Sequence, residues 1–255
     1  EGYGGGTLGQ VYDPFLAGAS ELGEVEIPTL QLLDGLVPNR IDDRRRLSRQ
    51  LDAVPRTLAL SGFDRWNQTY QSAYRLLMDP RARQAFDLTR EKPKTRERYG
   101  QSVFGQSSLL ARRLVEAEVP YIQLNYSRHV EAITPGFEFG WDTHIYNFEL
   151  LQDLHCPIFD RAFSAFLDDM QVRGLLEDNL IVCMGEFGRT PKINSASGRD
   201  HWASAGFAVF AGAGVPAGQI IGATDGEGGK PIENEYLPSD IAATIYKKLG
   251  IPLET

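Results

Sequence analysis

The stretch Asn179–Trp202, NLIVCMGEFGRTPKINSASGRDHW, limits the architecture more than any other. Leu180 to Met184 is a short apolar run with β-branched Ile181 and Val182, the pattern of a buried strand. It breaks at Gly185 into Glu186-Phe187-Gly188-Arg189-Thr190-Pro191, so an acid and a cation stand in a glycine-punctuated turn past the strand's carboxyl end. In open α/β sheets that edge is where ligands bind. A second polar cluster, Arg199-Asp200-His201, follows a run of small and polar residues that can fold back onto the first. A local ion pair between Glu186 and Arg189 is the plainer account, and a ligand site the sharper one.

A chain of 255 residues, 42% of them hydrophobic, can build one sizeable core with room for a small lobe. The net charge of −8 and pI near 5.1 argue against a nucleic-acid footprint. No apolar run reaches the ~18 residues of a membrane span. Cys156 and Cys183 lack metal-type spacing and read as small core hydrophobes. The sequence begins at Glu1, followed by a glycine-rich Gly2–Gly6, which suggests a cut or processed end.

Residues 1–40 read as loops. Residues 41–90 read as a helical segment: Leu47, Leu51 and Val54 form one stripe, and Trp66, Tyr70, Tyr74 and Leu77 another that fits core packing. Thr89–Tyr99 is charged and reads as an exposed linker. Gln101–Ala117 predicts a helix and Val119–Tyr126 a strand, a β-α rhythm. From His144 to about Arg173, Phe148, Leu151, His155, Phe159, Phe163, Phe166 and Met170 recur at spacings of three and four, predicting the longest helix, closed by Gly174. His155 falls on its apolar face, where a satisfied core histidine is the default. Strands are predicted at 205–211 and 219–223, and a final helix with Ser239 as its N-cap.

The chemistry-bearing residues are Asp142, His144, Glu186, Arg189, Arg199, Asp200 and His201. Two carboxylate–histidine pairs lie in two separated loops, beside predicted element ends. Carboxylate oxygen and neutral imidazole are ligands that Zn, Mn or Fe accept. Arginines suit such a site because the guanidinium fork matches tetrahedral oxyanions. The structural alternatives are that Asp142 or Thr143 caps the long helix, and that Asp200 pairs with Arg199 or orients His201.

The strings GWDTH (140–144), MGEFGRTP (184–191) and GRDHW (198–202) resemble the signatures of the DUF1501 family, as do GATDGEGG (222–229) and LPSDIAATIYKKLGIP (237–252). The resemblance covers essentially the whole chain. It implies a relation to sulfatases and alkaline phosphatases, hence a three-layer α/β/α fold with a mostly parallel sheet, forming a single domain over 1–255. It places Asp142, His144, Glu186 and His201 at ligand positions; with Asp200, from the second carboxylate–histidine pair, they are the expected ligands of a divalent metal, Zn first, with Mn or Ca as alternatives. Arg189 and Arg199 become catalytic cations. It further implies a small phosphorylated or sulfated ester as substrate, neither nucleic acid nor membrane as partner, and a periplasmic or secreted location. Against the family pattern, the amino-terminal strand and the nucleophile are missing, so the fold is expected to be incomplete there. The competing expectation is a non-catalytic binding or structural protein, with Trp141, Trp202 and Tyr126 available to stack on sugars.

Overall fold

The computed structural model describes residues 6–8, 13–27, 84–126 and 140–253. The expected stripes at Leu47–Val54 and Trp66–Leu77 lie outside these residues, as do most of the glycine-rich start and Ser127–His129. The chain divides into two units, 1–96 with 101–119, and 97–100 with 120–255.

In the first unit, β1 (Gly18–Ala19) pairs antiparallel with β2 (Val25–Glu26) through a tight turn. Helix α1 (Pro93–Tyr99), whose residues 97–99 belong to the second unit, occupies much of the expected linker, so the charge run does not leave it unstructured. Helix α2 (Val103–Glu116) bears out the predicted helix. Ser102 caps it by accepting from the Gly105 N–H at 3.0 Å. Its carboxyl end closes with the Val119 N–H on the Leu114 carbonyl, with Glu118 left-handed. Leu109 and Leu110 are buried on α2, and so is Arg112. That guanidinium is held by Glu91 at 2.9 Å and Glu116 at 2.6 Å, which makes its burial tolerable. After α2 the predicted strand Val119–Tyr126 does not form. Pro120 removes a ladder donor, and the apolar side chains Tyr121 and Leu124 are exposed.

In the second unit a continuous helical run begins with α3 (Asn147–Leu150), widens to a π-turn over Leu151–His155, and continues as α4 (Cys156–Val172). The π-turn has a local cause. Pro157 has no N–H and its ring would clash with the carbonyl one turn back, so the helix widens before it. Ala162, Ala165 and Met170 form the buried stripe of α4. Gly174, at φ +72°, closes the run as expected. Tyr99 donates to Asp169 on α4 at 3.0 Å.

Strand β3 (Ile181–Met184) forms where the apolar run predicts it, and is half-buried. The expected parallel sheet is not what it joins. Hairpin strands β4 (Gly188–Arg189) and β5 (His201–Trp202) follow, and β3 pairs antiparallel with β6 (Ala208–Ala211), Ile181 opposite Ala211. A parallel partner needs a crossover of a dozen or more residues, usually helical. The segment between Met184 and Ala208 spends its length on the β4–β5 hairpin and contains no helix. Strands β7 (Ala223–Thr224) and β8 (Pro231–Glu233) make another antiparallel pair. The described residues thus form a mixed α/β fold with small two-stranded antiparallel sheets, which corrects the alkaline-phosphatase-like α/β/α expectation.

Helix α5 (Pro238–Lys248) starts two residues earlier than predicted. Leu237, not Ser239, is the N-cap, and its N–H donates to Asp240 at 2.7 Å. Cys156 is exposed and Cys183 intermediate, both as free thiols, so the expectation of two core cysteines fails for Cys156. Burial pushes the Cys183 thiol up.

Candidate metal centre

Two loops build the site: 140–146, ahead of α3, and 186–202, containing the β4–β5 hairpin. They are laced together through their backbones. The Arg199 N–H donates to the Thr143 carbonyl at 3.0 Å, and the Asn147 N–H to that of Ser197 at 3.1 Å. Ile145 bridges Ser197. Gly198 makes this approach feasible, since a Cβ there would lie 1.8 Å from the His144 carbonyl oxygen. Gly188 serves the neighbouring turn likewise, with the Ala205 carbonyl oxygen 2.0 Å from where its Cβ would be.

Loop 140–146 is fixed from behind by aromatic packing. The Trp141 ring stacks on His155 at 5.0 Å and meets Tyr126 edge-on at 5.2 Å. His155 is buried, with Nε2 3.0 Å from the Gly140 carbonyl oxygen, so it is the core histidine the periodicity suggests. Thr143 is buried beneath the site and donates to Asn147 at 2.5 Å. Neither Asp142 nor Thr143 caps the helix; Tyr146 is its N-cap, without a side-chain bond.

Strand register then decides what meets Asp142. Arg189 lies opposite His201 in the β4–β5 pair, so the two side chains share a face. Both reach the same carboxylate oxygen. Asp142 Oδ1 is 2.5 Å from an Arg189 guanidinium nitrogen and 2.8 Å from His201 Nε2. His144 Nε2 stands 3.0 Å from that oxygen and 3.1 Å from His201 Nε2. Three donor atoms therefore form a nearly equilateral triangle. The two imidazoles are about half exposed (42% and 50%) and Asp142 is mostly covered (15%), so the triangle opens to solvent on the histidine side. Phe187 packs against the His201 ring at 4.4 Å and forms one wall.

Burial works against ionising Asp142, yet hydrogen bonds from Arg189 and His201 and the Arg189 charge outweigh it, holding the carboxyl below its usual range. Hydrogen bonding from His144 and then Asn194 lowers Asp200 as well. Asp200 does not face His201 or pair with Arg199. Its Oδ1 lies 3.0 Å from His144 Nδ1.

The remaining candidates are placed differently. Glu186 is exposed in the turn after β3 and does not join the triangle. Arg189 spends its donors on Asp142 and on the Trp141 and Arg199 carbonyls. Arg199 donates to the Thr190 and Pro191 carbonyls at 2.6 and 2.7 Å, and its guanidinium lies 5.6 Å from the centre of the Phe148 ring. The Thr190 hydroxyl donates to the Lys192 carbonyl. Asn194 was not singled out in the sequence, yet it organises its loop. Its Oδ1 accepts from the Ala196 and Gly198 N–H groups, and its Nδ2 donates to the His144 carbonyl and to Asp200. An Asn heading a Ser-Ala-Ser-Gly turn is the available signal, because Asn closes such turns through its own side chain.

The donor set is geometrically compatible with metal coordination. Ligand atoms around a tetrahedral ion held at about 2.0–2.1 Å lie about 3.3–3.4 Å apart. The observed separations of 2.8, 3.0 and 3.1 Å need to open by only a few tenths of an ångström.

What these residues define is a mixed α/β protein with an Asp–His–His cluster suited to a metal. Residues 1–255 match the family model described as "Protein of unknown function (DUF1501)", and the chain belongs to that family. No curated protein and no solved structure matches it. Nothing in these comparisons supports the implied kinship with alkaline phosphatases and sulfatases, and the antiparallel pairs speak against it. No comparison supports the expectation of a fold lacking its amino-terminal strand. Among the described residues no helix is long and apolar enough to cross a membrane.

Proposed function

We propose that this chain is a metal-dependent hydrolase of small anionic esters, phosphate or sulfate, with Asp142, His144 and His201 as the metal ligands. The triangle of donor atoms carries this reading, because three ligating atoms from two distant loops meet at a solvent-open point. Two imidazoles and one carboxylate favour Zn, Mn or Fe over Ca, which prefers oxygen ligands throughout. A bound divalent ion would supply charge to polarise a phosphoryl or sulfuryl oxygen. The chain's own contribution is to keep Asp142 ionised through Arg189 and to leave a half-exposed approach between the histidines. The net positive character needed for an anionic substrate then comes from the ion together with Arg189.

One observation favours the binding or structural alternative. Arg199 aims its donors at backbone carbonyls, and Arg189 aims its own at Asp142 and carbonyls, so neither is poised for substrate. Elemental analysis of the purified protein, paired with a screen of aryl phosphates and aryl sulfates with and without added Zn or Mn, separates the two. Metal-stimulated turnover that disappears in His144→Ala supports the hydrolase. Stoichiometric metal with no turnover on either ester class supports the alternative. Protein that retains no metal overturns both the ligand assignment and the mechanism.

A further inference from the structure

The contacts of Asp200 specify a hydrogen position on the neighbouring histidine. Asp200 stands outside the triangle of donor atoms. Its Oδ1 faces His144 Nδ1 at 3.0 Å, and Asn194 Nδ2 donates to that same oxygen at 3.0 Å. Asn194 is itself committed on all sides, through the His144 carbonyl and the Ala196 and Gly198 N–H groups. The carboxylate is therefore held in place, with Oδ1 accepting from Asn194 Nδ2 and facing His144 Nδ1. An ionised carboxylate only accepts hydrogen bonds, so the facing Nδ1 must carry the proton. A neutral imidazole has one N–H, which leaves Nε2 as a bare lone pair. That lone pair points into the triangle, 3.0 Å from Asp142 Oδ1 and 3.1 Å from His201 Nε2. Asp142 Oδ1 is an acceptor too, so the two lone pairs face each other across a distance that a cation would bridge.

We propose that Asp200, steadied by Asn194, is a positioning residue that selects the Nδ1–H tautomer of His144 and so presents Nε2 as a ligand to a divalent cation. This rests on the metal reading above. Carboxylates behind metal-binding histidines act in this way and set ligand basicity and ring orientation. Asp200 thereby passes from candidate ligand to the group that orients one.

The test combines two readouts on the full chain. Nitrogen-15 spectra of the histidine side chains in the metal-free protein, above pH 7, report which nitrogen of His144 carries hydrogen. Zn titration by calorimetry reports affinity. Wild-type protein is expected to show Nδ1–H with Nε2 bare. Asp200→Ala should move the proton toward Nε2 and weaken Zn binding about 10- to 100-fold. Asp200→Asn, which keeps the size and one accepting oxygen, should lie between them and serves if the alanine variant folds poorly. Unchanged tautomer and unchanged Zn affinity in both variants would overturn the proposal while leaving the metal reading intact. Failure of wild-type protein to bind Zn, Mn or Fe would remove the metal reading and this proposal with it.

Discussion

Replacing Gly198 by alanine tests how the two site loops are held together. The new methyl would lie 1.8 Å from the His144 carbonyl oxygen, 2.0 Å from its carbon and 2.5 Å from the Ile145 nitrogen. All three are backbone atoms, so no rotamer change relieves the clash and the loops must separate. Separation breaks the hydrogen bonds from Tyr146 N to Ala196 O, Asn147 N to Ser197 O, Arg199 N to Thr143 O, and Asn194 Nδ2 to His144 O. At about 0.5–1.5 kcal/mol net for each of the four, the cost is about 2–6 kcal/mol. Local opening of the loop limits what global unfolding records, so hydrogen exchange is the better assay. The amides of Tyr146, Asn147 and Arg199 should lose protection, while those of α2 keep theirs. Zn affinity should fall at least tenfold, because the closed loop must be restored before His144 and His201 can share an ion. Gly226→Ala is the control, since nothing lies within 4 Å of its added Cβ. Wild-type protection and wild-type Zn affinity in Gly198→Ala would refute the reasoning.

Three further outcomes follow from other contacts. Arg189→Gln removes the charge that helps to hold Asp142 ionised, so the Asp142 carboxyl should titrate higher and Zn binding should be lost at a higher pH than in wild type, as seen in calorimetry across pH 4–7. Glu91→Ala takes one carboxylate from the buried Arg112 and should cost about 3–5 kcal/mol in urea unfolding. Burial resists ionisation of Glu91, but Arg112 and Arg113 prevail and lower it, so its folded value lies under its unfolded 4.5. Its stabilisation is therefore complete above about pH 4.5 and fades as pH drops through the folded value, and Glu91→Gln should flatten the acid limb of the stability curve.

Local signals in the sequence were informative where chemistry and periodicity agreed. The apolar run at 180–184, the helix expected over 101–117 and the Gly174 stop after α4 all correspond to observed elements. The meeting of Asp142, His144 and His201 was legible as two carboxylate–histidine pairs beside element ends. What strand pairs with β3 was not legible, because a four-residue apolar strand reads the same in a parallel or an antiparallel ladder. Strand direction depends on whether the connection holds a crossover helix, and the polar loop 186–202 concealed a short antiparallel pair, Gly188–Arg189 with His201–Trp202, instead. Glu186 and Arg189 share one polar turn in the string, the first as a candidate ligand and the second as a candidate catalytic cation, yet β4 brings Arg189 to Asp142 while Glu186 is exposed in the turn before it. The importance of Asn194 depends on contacts 50 residues away, at the His144 carbonyl, which no local pattern encodes.

The central claim is that Asp142, His144 and His201 share one divalent ion. Anomalous scattering from crystals of the full chain grown with Zn tests it most directly. The account predicts a single strong peak within bonding distance of Asp142 Oδ1 and the Nε2 atoms of both histidines, with Asp200 still on His144 Nδ1. A Zn-loaded crystal with its peaks elsewhere, and His201 still hydrogen-bonded to Asp142, would contradict it.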